Sequence, residues 1–398
     1  MSKWRKKQLQ EIAFLKPTET LKKGDIAPNI PMANIKEFQR DVVKIDYGEF
    51  RGGTKFRNGD TLLAKITPCL ENGKTAFVNC LQEDEIGFGS TEFIVLRAKE
   101  NIDERFLYYL SISPEFRKQA ISLMEGTSGR KRVNENALKI SDFLIPDLEE
   151  QRKIANILSA IDDKIQINNQ INQELEAMAK TLYDYWFVQF DFPDQNGKPY
   201  KSSGGKMVYN PELKREIPEG WGVESVGNLL DKVTKAEKIE NNSIEFVGRI
   251  PVIDQSQKYI AGFTNNQSSL IQPQNGHVIF GDHTRVVKFI NFDYARGADG
   301  TQVLISNNEN ISNILLYHMI EDFDLSNYGY ARHFKFLKEK LVIVPDKKIS
   351  LQFANKADVI YKKIRNNIFE NQELTQLRDW LLPMLMNGQV LEKNRGKK

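Results

Sequence analysis

Ten positions between residues 154 and 186 constrain this chain more than any other feature. Ile154, Leu158, Ile161, Ile165, Asn168, Asn172, Leu175, Ala179, Leu182 and Trp186 recur at alternating spacings of four and three. Only a helix gathers such spacing into one stripe, the a/d seam of a coiled coil. The pattern predicts a long helix over 148–187. Asp147 stands where an N-cap belongs, Glu150 three residues on completes the capping signature, and Pro146 closes the preceding segment. Adding 199 to each seam position gives Phe353, Ala357, Ile360, Ile364, Asn367, Asn371, Leu374, Arg378, Leu381 and Leu385, nine of which keep their apolar or asparagine character. The exception is Arg378, whose packing role is expected to pass to Leu377. FLIP ends at Pro146 and VIVP at Pro345, the same offset again. The chain therefore reads as an internal repeat.

Upstream of each helix the likeness is looser. GDTLLAKI at Gly59 resembles GDHTRVVKF at Gly281, GSTEFIVLR at Gly89 resembles DGTQVLI at Asp299, and FLYYL at Phe106 resembles LLYHM at Leu315. Glycine turns followed by β-branched runs predict strands, and the FLYYL and LLYHM segments predict short helices. A lone amphipathic helix needs an apolar partner, and each seam is the obvious partner of the other. The expected fold is α+β: two similar mixed, mainly β domains separated by two long helices that form an antiparallel coiled coil, with an internal pseudo-twofold repeat. Parallel or intermolecular pairing also satisfies the pattern. The layout is a globular domain over 1–146, a helix over 147–190, a connector over 191–214, a second globular domain over 215–345, a second helix over 346–390 and a basic tail over 391–398. Asn168, Asn172, Asn367 and Asn371 are the candidate register residues, because a polar seam position lowers stability but excludes other alignments.

Composition narrows the partners. The chain has 398 residues, 40% hydrophobic and 27% charged, with a net charge of +3, an ordinary globular balance. Residues 1–146 carry 24 basic against 20 acidic side chains, and residues 215–345 carry 13 against 16. Any nucleic-acid surface is therefore a local patch. No 18-residue apolar run exists to span a membrane. The start, MSKWRKKQLQEIAF, lacks an apolar h-region and a cleavage site. With only Cys69 and Cys80 as cysteines, a reducing cytoplasm is the expected compartment.

Catalytic chemistry is not visible. His277, His283, His318 and His333 form no close ligand pattern, and two cysteines cannot complete a cysteine-rich zinc site. Phosphate-loop and nucleophile-elbow motifs are missing. PDLEEQRK at Pro146 gathers acids and a lysine, but at a helix start, where capping explains them. No catalytic residue, metal ligand or bound cofactor is assigned.

Two basic turns say more. GTSGRKRVNENALKISDFLIP carries Arg130, Lys131 and Arg132, and NYGYARHFKFLKEKLVIVP carries Arg332, His333 and Lys335 at the corresponding place. Arginine can bridge two acceptors on guanine, and lysine supplies a point charge to phosphate; the plain alternative is a solvated turn. Lys74, Arg285, Lys288 and Arg296 are further DNA-contact candidates, although basic residues alternating with apolar ones also mark an exposed strand. Tyr328 and Tyr330 are candidates for stacking. The apolar ends LYDYWFVQFDF and WLLPMLMNG hold more aromatics than a two-helix seam needs. Tyr185, Trp186, Phe187, Trp380 and Leu385 are candidate partner contacts, with packing onto the globular domains as the alternative. Pro383 is expected to kink or end its helix.

These features together resemble the specificity subunit of type I restriction–modification systems. IPDLEEQRKIANILSAIDDKI looks like that family's first conserved helical region, and DFPDQNGKPYKSSGGKMVYNPELKREIPEGW is an especially specific match. The resemblance spans nearly the full chain and is strongest between Phe143 and Trp221. VPDKKISLQF departs from the pattern by lacking the pair found at Glu150 and Gln151. The resemblance implies two target-recognition domains, 1–146 and 215–345, that read the halves of a split site in double-stranded DNA. It implies two methyltransferase subunits that use S-adenosylmethionine to methylate adenine, and restriction/translocase subunits that use ATP and Mg. This chain would supply address and scaffold, with no cofactor of its own. A self-contained DNA-modifying enzyme and a non-DNA coiled-coil adaptor are the competing functions.

Overall fold

The computed structural model describes residues 4–42, 44–127, 129–231, 233, 236–329 and 332–389; Tyr330 and the basic tail over 391–398 lie outside them. The chain divides into two units, Met1–Asn168 with Glu370–Lys398, and Asn169–Phe369. The division falls inside both long helices.

In the first unit, strand Arg5–Gln8 pairs antiparallel with Asp142–Ile145, the strand that leads into the long helix. One four-stranded sheet runs in the order Ala13–Leu15, Phe93–Ala98, Thr61–Ala64, Thr75–Phe77, and another in the order Asp46–Glu49, Ile26–Ile30, Gly87–Gly89, Thr54–Phe56. Strand Thr61–Ala64 is buried along its whole length because both its faces feed a core. Leu63, with Ile94 and Leu96 of its neighbour, joins the cluster built on the helices; Leu62, Phe93 and Val95 join the cluster facing the second sheet. The two-residue side-chain period of a strand makes that division automatic. Asp103 caps helix Glu104–Ile112 and Ser113 caps Pro114–Ser122, each accepting backbone N–H groups that no helical carbonyl can reach.

The second unit repeats the plan. Gly222–Ser225 pairs with Leu341–Val344 ahead of the second long helix. A four-stranded sheet runs Gly262–Thr264, Ile250–Ile253, Tyr294–Arg296, Leu270–Ile271, with a parallel central pair (Val252↔Ala295) like that of the first unit (Asn29↔Phe88). The other sheet keeps three strands, Val287–Ile290, His277–Gly281 and Thr301–Leu304; a single bridge, Leu230↔Ser306, stands in the fourth strand's place. Val278, Phe280 and Leu304 pack with helix Asn313–Ile320, while Ile279 and Ile290 face the other sheet.

The topology corrects one sequence match. GDTLLAKI and GDHTRVVKF are one strand out of step, because Thr61–Ala64 occupies the place of His277–Gly281. Asn58-Gly59 therefore corresponds to Asn275-Gly276, and both glycines take left-handed backbone (φ +87° and +73°) entering the strand. The matches of GSTEFIVLR to DGTQVLI and of FLYYL to LLYHM hold in the topology.

The first long helix spans Leu148–Tyr183 and continues as one π-helical turn over Asp184–Val188; the second spans Lys347–Met386. Asp147 accepts the Glu150 N–H at 3.0 Å, and Asp346 accepts that of Lys348 at 2.7 Å. Buried Gln151 donates to the Pro146 carbonyl and accepts the Asp103 N–H, both at 2.9 Å, tying the first helix start to the neighbouring cap. The second helix has buried Ser350 at that place and still starts at the same offset. Every seam position of both helices is buried or half-buried. Ile154 and Leu158 are fully buried, and truncating either to Ala costs about 2–5 kcal/mol. Within each unit the helices run antiparallel: Asp162 meets Arg378 and Asn168 meets Asn371 in the first, while Asn172 meets Asn367 and Trp186 meets Phe353 in the second.

The expectation for Leu377 fails, and the helix does not end at Pro383. Leu377 is 43% exposed and does not replace Arg378, which is itself buried against Asp162. Pro383 neither ends nor breaks the helix, since it removes one i→i−4 bond only a turn before the end. Left-handed Gly388 (φ +71°) follows the true terminus. The connector is also more ordered than its composition suggests: Met207–Asn210 pairs with Arg215–Pro218, and Phe192 stacks between Tyr200 and Trp221 at 4.6 and 4.9 Å.

Candidate nucleic-acid interface

In the first unit a hairpin, Met124–Glu125 with Arg132–Val133, carries the basic turn. The Thr67 N–H donates to the Lys131 carbonyl at 3.0 Å and the Val133 N–H to that of Lys65 at 2.9 Å, so the turn is fastened to a strand end. Arg130 and Lys131 are exposed, and their side chains make no hydrogen bond or ion pair with a described residue. Arg132 forks onto Glu92 with contacts of 2.7–3.1 Å and lowers the Glu92 pKa. Its charge is already engaged. Neighbouring turns close in: a Cβ on Gly53 would stand 2.2 Å from the Gly89 carbonyl oxygen, so glycine is required for that approach. Thr54 Oγ1 then donates to the Ser90 carbonyl at 3.0 Å. An open groove of about 400 Å³ beside these turns is lined by Lys16, Thr18, Thr54, Lys55 and Thr91 among others. Lys74 does not project; its Nζ donates to the Met32 carbonyl at 3.1 Å.

The second unit gathers the corresponding loops around Gln255. Its Oε1 accepts the His283 N–H at 3.1 Å, its Nε2 donates to the Asp299 carbonyl at 3.0 Å, and its own carbonyl accepts from Thr284 Oγ1 at 2.5 Å. The Asp282 carbonyl receives the His333 N–H at 2.9 Å and its Nδ1–H at 3.0 Å. The matching bond in the first unit runs from Val133 to Lys65, so the residues just before, Arg132 and Arg332, occupy equivalent places. Arg285 (φ +64°), Arg332 and Lys335 are exposed. Lys238 pairs with Asp299 at 2.6 Å and lowers its pKa, with Arg332 and Arg296 adding to the pull.

Three further candidates are buried. Lys288 is 5% exposed, and its Nζ donates to the carbonyls of Asp254 (2.9 Å) and Lys258 (2.5 Å); burial pushes its pKa down to about 8. Arg296 and His333 are likewise buried. Alternation along a strand cannot reveal which face is covered, so spacing does not separate Lys288 and Arg296 from exposed cations, and His333 stands at a helix start where its turn folds it inward. They shape the loops rather than present charge. Gln255, Lys238 and Lys16 carry no sequence signal of their own, because distant loops bring them to the site. Among the described residues no group of three or more His, Cys, Asp or Glu side chains is arranged to hold a metal ion.

The seam asparagines pair across the helices in a repeated pattern. Asn168 Nδ2 donates to Asn371 Oδ1 at 2.9 Å and to Glu370 at 2.8 Å; Asn367 Nδ2 donates to Asn172 Oδ1 at 2.8 Å. In both pairs the first asparagine of one copy donates to the second asparagine of the other. At the helix ends the aromatic candidates divide. Trp186 and Phe187 are buried with Phe353 and Trp221, and Leu385 is fully buried in the first unit's core, so none of the three is open to a partner. For these three the alternative reading describes the structure: they pack into the cores of the globular domains. Trp380 and Tyr185 remain 58% and 38% exposed.

A family model described as the type I restriction modification DNA specificity domain matches residues 1–177. The type I restriction enzyme MjaIX specificity subunit of Methanocaldococcus jannaschii is 26% identical over 317 residues, covering 73% of this chain and 70% of that protein. The HindI specificity subunit of Haemophilus influenzae is 25% identical over 411 residues, covering 84% and 87%. The EcoAI specificity subunit of Escherichia coli is 41% identical over 231 residues, covering 52% and 39%. In fold, the chain is similar to the crystal structure of a type I restriction–modification S subunit from M. genitalium, with a TM-score of 0.55, 16% identity and 96% of each chain covered.

Proposed function

Because the chain belongs to the family of type I restriction–modification specificity subunits, we propose that it reads a split DNA site and carries that address to its partner subunits. The chain is the non-catalytic specificity subunit; methylation and cleavage belong to partner subunits. Two methyltransferase subunits that use S-adenosylmethionine, and restriction/translocase subunits that use ATP and Mg, complete the assembly. Residues 1–146 read one half-site and residues 215–345 the other, with the helix at 147–190 following the first reader in the chain and the helix at 346–390 following the second. Phosphate contacts from exposed cations hold each domain in place while base-edge contacts from the adjoining loops select sequence.

One observation carries this reading: each unit folds distant loops onto the same strand ends and leaves exposed cations there whose side chains pair with no described residue, Arg130 with Lys131 in the first and Arg285 with Arg332 in the second. The asparagine pairs give the seam a fixed register, which suits a protein whose readings must keep a set spacing. The test is DNA binding by the subunit in complex with its methyltransferase. Arg130→Ala/Lys131→Ala should weaken binding to duplexes bearing the native site, as should Arg332→Ala, without lowering the melting temperature. Unchanged affinity in both would remove these turns from the interface.

A further inference from the structure

We propose that Tyr109, Asp162 and Arg378, with Arg40 and Asp163 beside them, form a positioning clamp that holds the first recognition domain in one pose on its helix pair and so sharpens discrimination between spacer lengths. The proposal rests on the DNA-reading function above. Asp162 is the centre. Its Oδ1 accepts from Arg378 Nη1 at 2.9 Å and its Oδ2 from the Tyr109 hydroxyl at 2.7 Å, so one carboxylate joins the recognition domain to both long helices. Arg378 also donates to Asp379 at 2.9 and 3.0 Å. Arg40, from the recognition domain, reaches Asp163 at 2.7 Å and the Ser159 carbonyl at 3.4 Å on the first helix. Arg40, Asp162 and Arg378 are all at least 94% buried.

Such a cluster behaves differently from the apolar contacts around it. Hydrophobic burial is non-directional and tolerates sliding. A buried charge that moves off its partner is left uncompensated, so the cluster admits one alignment. The second unit closes the same junction without it. Tyr361 stands at the place of Asp162, Ala179 at that of Arg378 and His318 at that of Tyr109; the His318 Nε2 meets the Tyr361 hydroxyl at 3.2 Å and its ring stacks on Tyr183 at 5.6 Å. The His318 Nδ1 meets the Glu321 carboxylate at 2.6 Å on its own helix, so among the described residues the second copy has no arginine–aspartate bridge between the two long helices, and the bridge in the first copy is a choice of geometry.

The test uses the complex with the methyltransferase and a target motif read from the wild-type methylation pattern. Methylation rates are compared on duplexes with the native spacer and with spacers one base pair longer or shorter. Tyr109→Phe/Asp162→Asn should lower the native-over-altered rate ratio about tenfold while leaving base preference within each half-site unchanged. Thermal melting is followed in parallel; if the double variant does not fold, Tyr109→Phe alone, which removes one hydroxyl, should still lower the ratio about threefold. Wild-type spacer discrimination in the folded variants overturns the clamp alone, as does a loss of half-site base preference alongside it. A wild-type complex with no split target overturns the DNA-reading function and the clamp with it, a different result from unchanged discrimination in the variants.

Discussion

Replacing Asn367 with leucine should destabilise the chain more than the same change at Asn168, although both asparagines are 1% exposed. The difference lies in what each leaves behind. Asn168 donates to Asn371, which is only half-buried, and to Glu370, which Lys164 also reaches at 3.4 Å. Those partners can turn to water or to the lysine when the amide is removed. A buried leucine contributes about 1.5–3 kcal/mol, and the missing bonds remove a similar amount. The net change for Asn168→Leu is therefore about zero, within roughly 1 kcal/mol. Asn367 instead serves Asn172 Oδ1, and Asn172 is 9% exposed. Asn367→Leu strands that oxygen away from water at a cost of about 1–3 kcal/mol, or roughly 2–12 °C in melting temperature for a unit of this size. Asn172→Leu/Asn367→Leu removes both polar groups and should recover wild-type stability to within about 1 kcal/mol. The same double variant should blur spacer preference, because the stabilised seam no longer rejects shifted registers. Calorimetry of the four chains reads the cycle. Equal losses in Asn367→Leu and in the double variant would refute the reasoning, as would no loss in Asn367→Leu.

Lys288 has a folded pKa of about 8 against an ordinary value of 10.5. Between those values the unfolded chain holds a proton that the folded chain has released, so stability rises with pH through that window, by up to about 3 kcal/mol. Denaturant titrations at pH 7.5 and 10 should show this rise in the wild type and a flatter response in Lys288→Met; a parallel response would mean that the amine is not buried as described. Removing one phosphate-binding cation, by Arg130→Ala or by Arg332→Ala, should flatten the slope of log K against log[salt] by about 0.9, and an unaltered slope would assign those cations to solvent. Trp380→Ala and Tyr185→Ala should leave the melting temperature in place while weakening capture of the methyltransferase subunit. Trp186→Ala should instead cost about 3–5 kcal/mol of stability, and a stable Trp186→Ala chain would contradict its place in the core.

The helices were the most legible part of the sequence, because a seam of ten positions and its copy at an offset of 199 leave little freedom. Direction was not legible until Asp162 met Arg378. An arginine in a seam looks like a defect when its partner is an acid 216 residues away, and the nearest leucine is the natural but wrong substitute. The strands were legible as strands but were misaligned at GDHTRVVKF, since a Gly-Asp pair enters one strand and leaves another. Exposure was the least legible property. Arg130 and Lys288 are both cationic residues beside glycine or β-branched neighbours, yet one ends in solvent and the other on two carbonyls. Burial depends on loops from distant sequence, which local pattern does not encode.

The most direct measurement is the genome-wide pattern of methylated adenine when this chain is co-expressed with its methyltransferase. One split motif with a fixed spacer is expected, and exchanging residues 215–345 for those of another specificity subunit should change one half of the motif and leave the other intact. Methylation without a split motif, or a change in both halves on exchanging one domain, would contradict the assignment of one half-site to each domain.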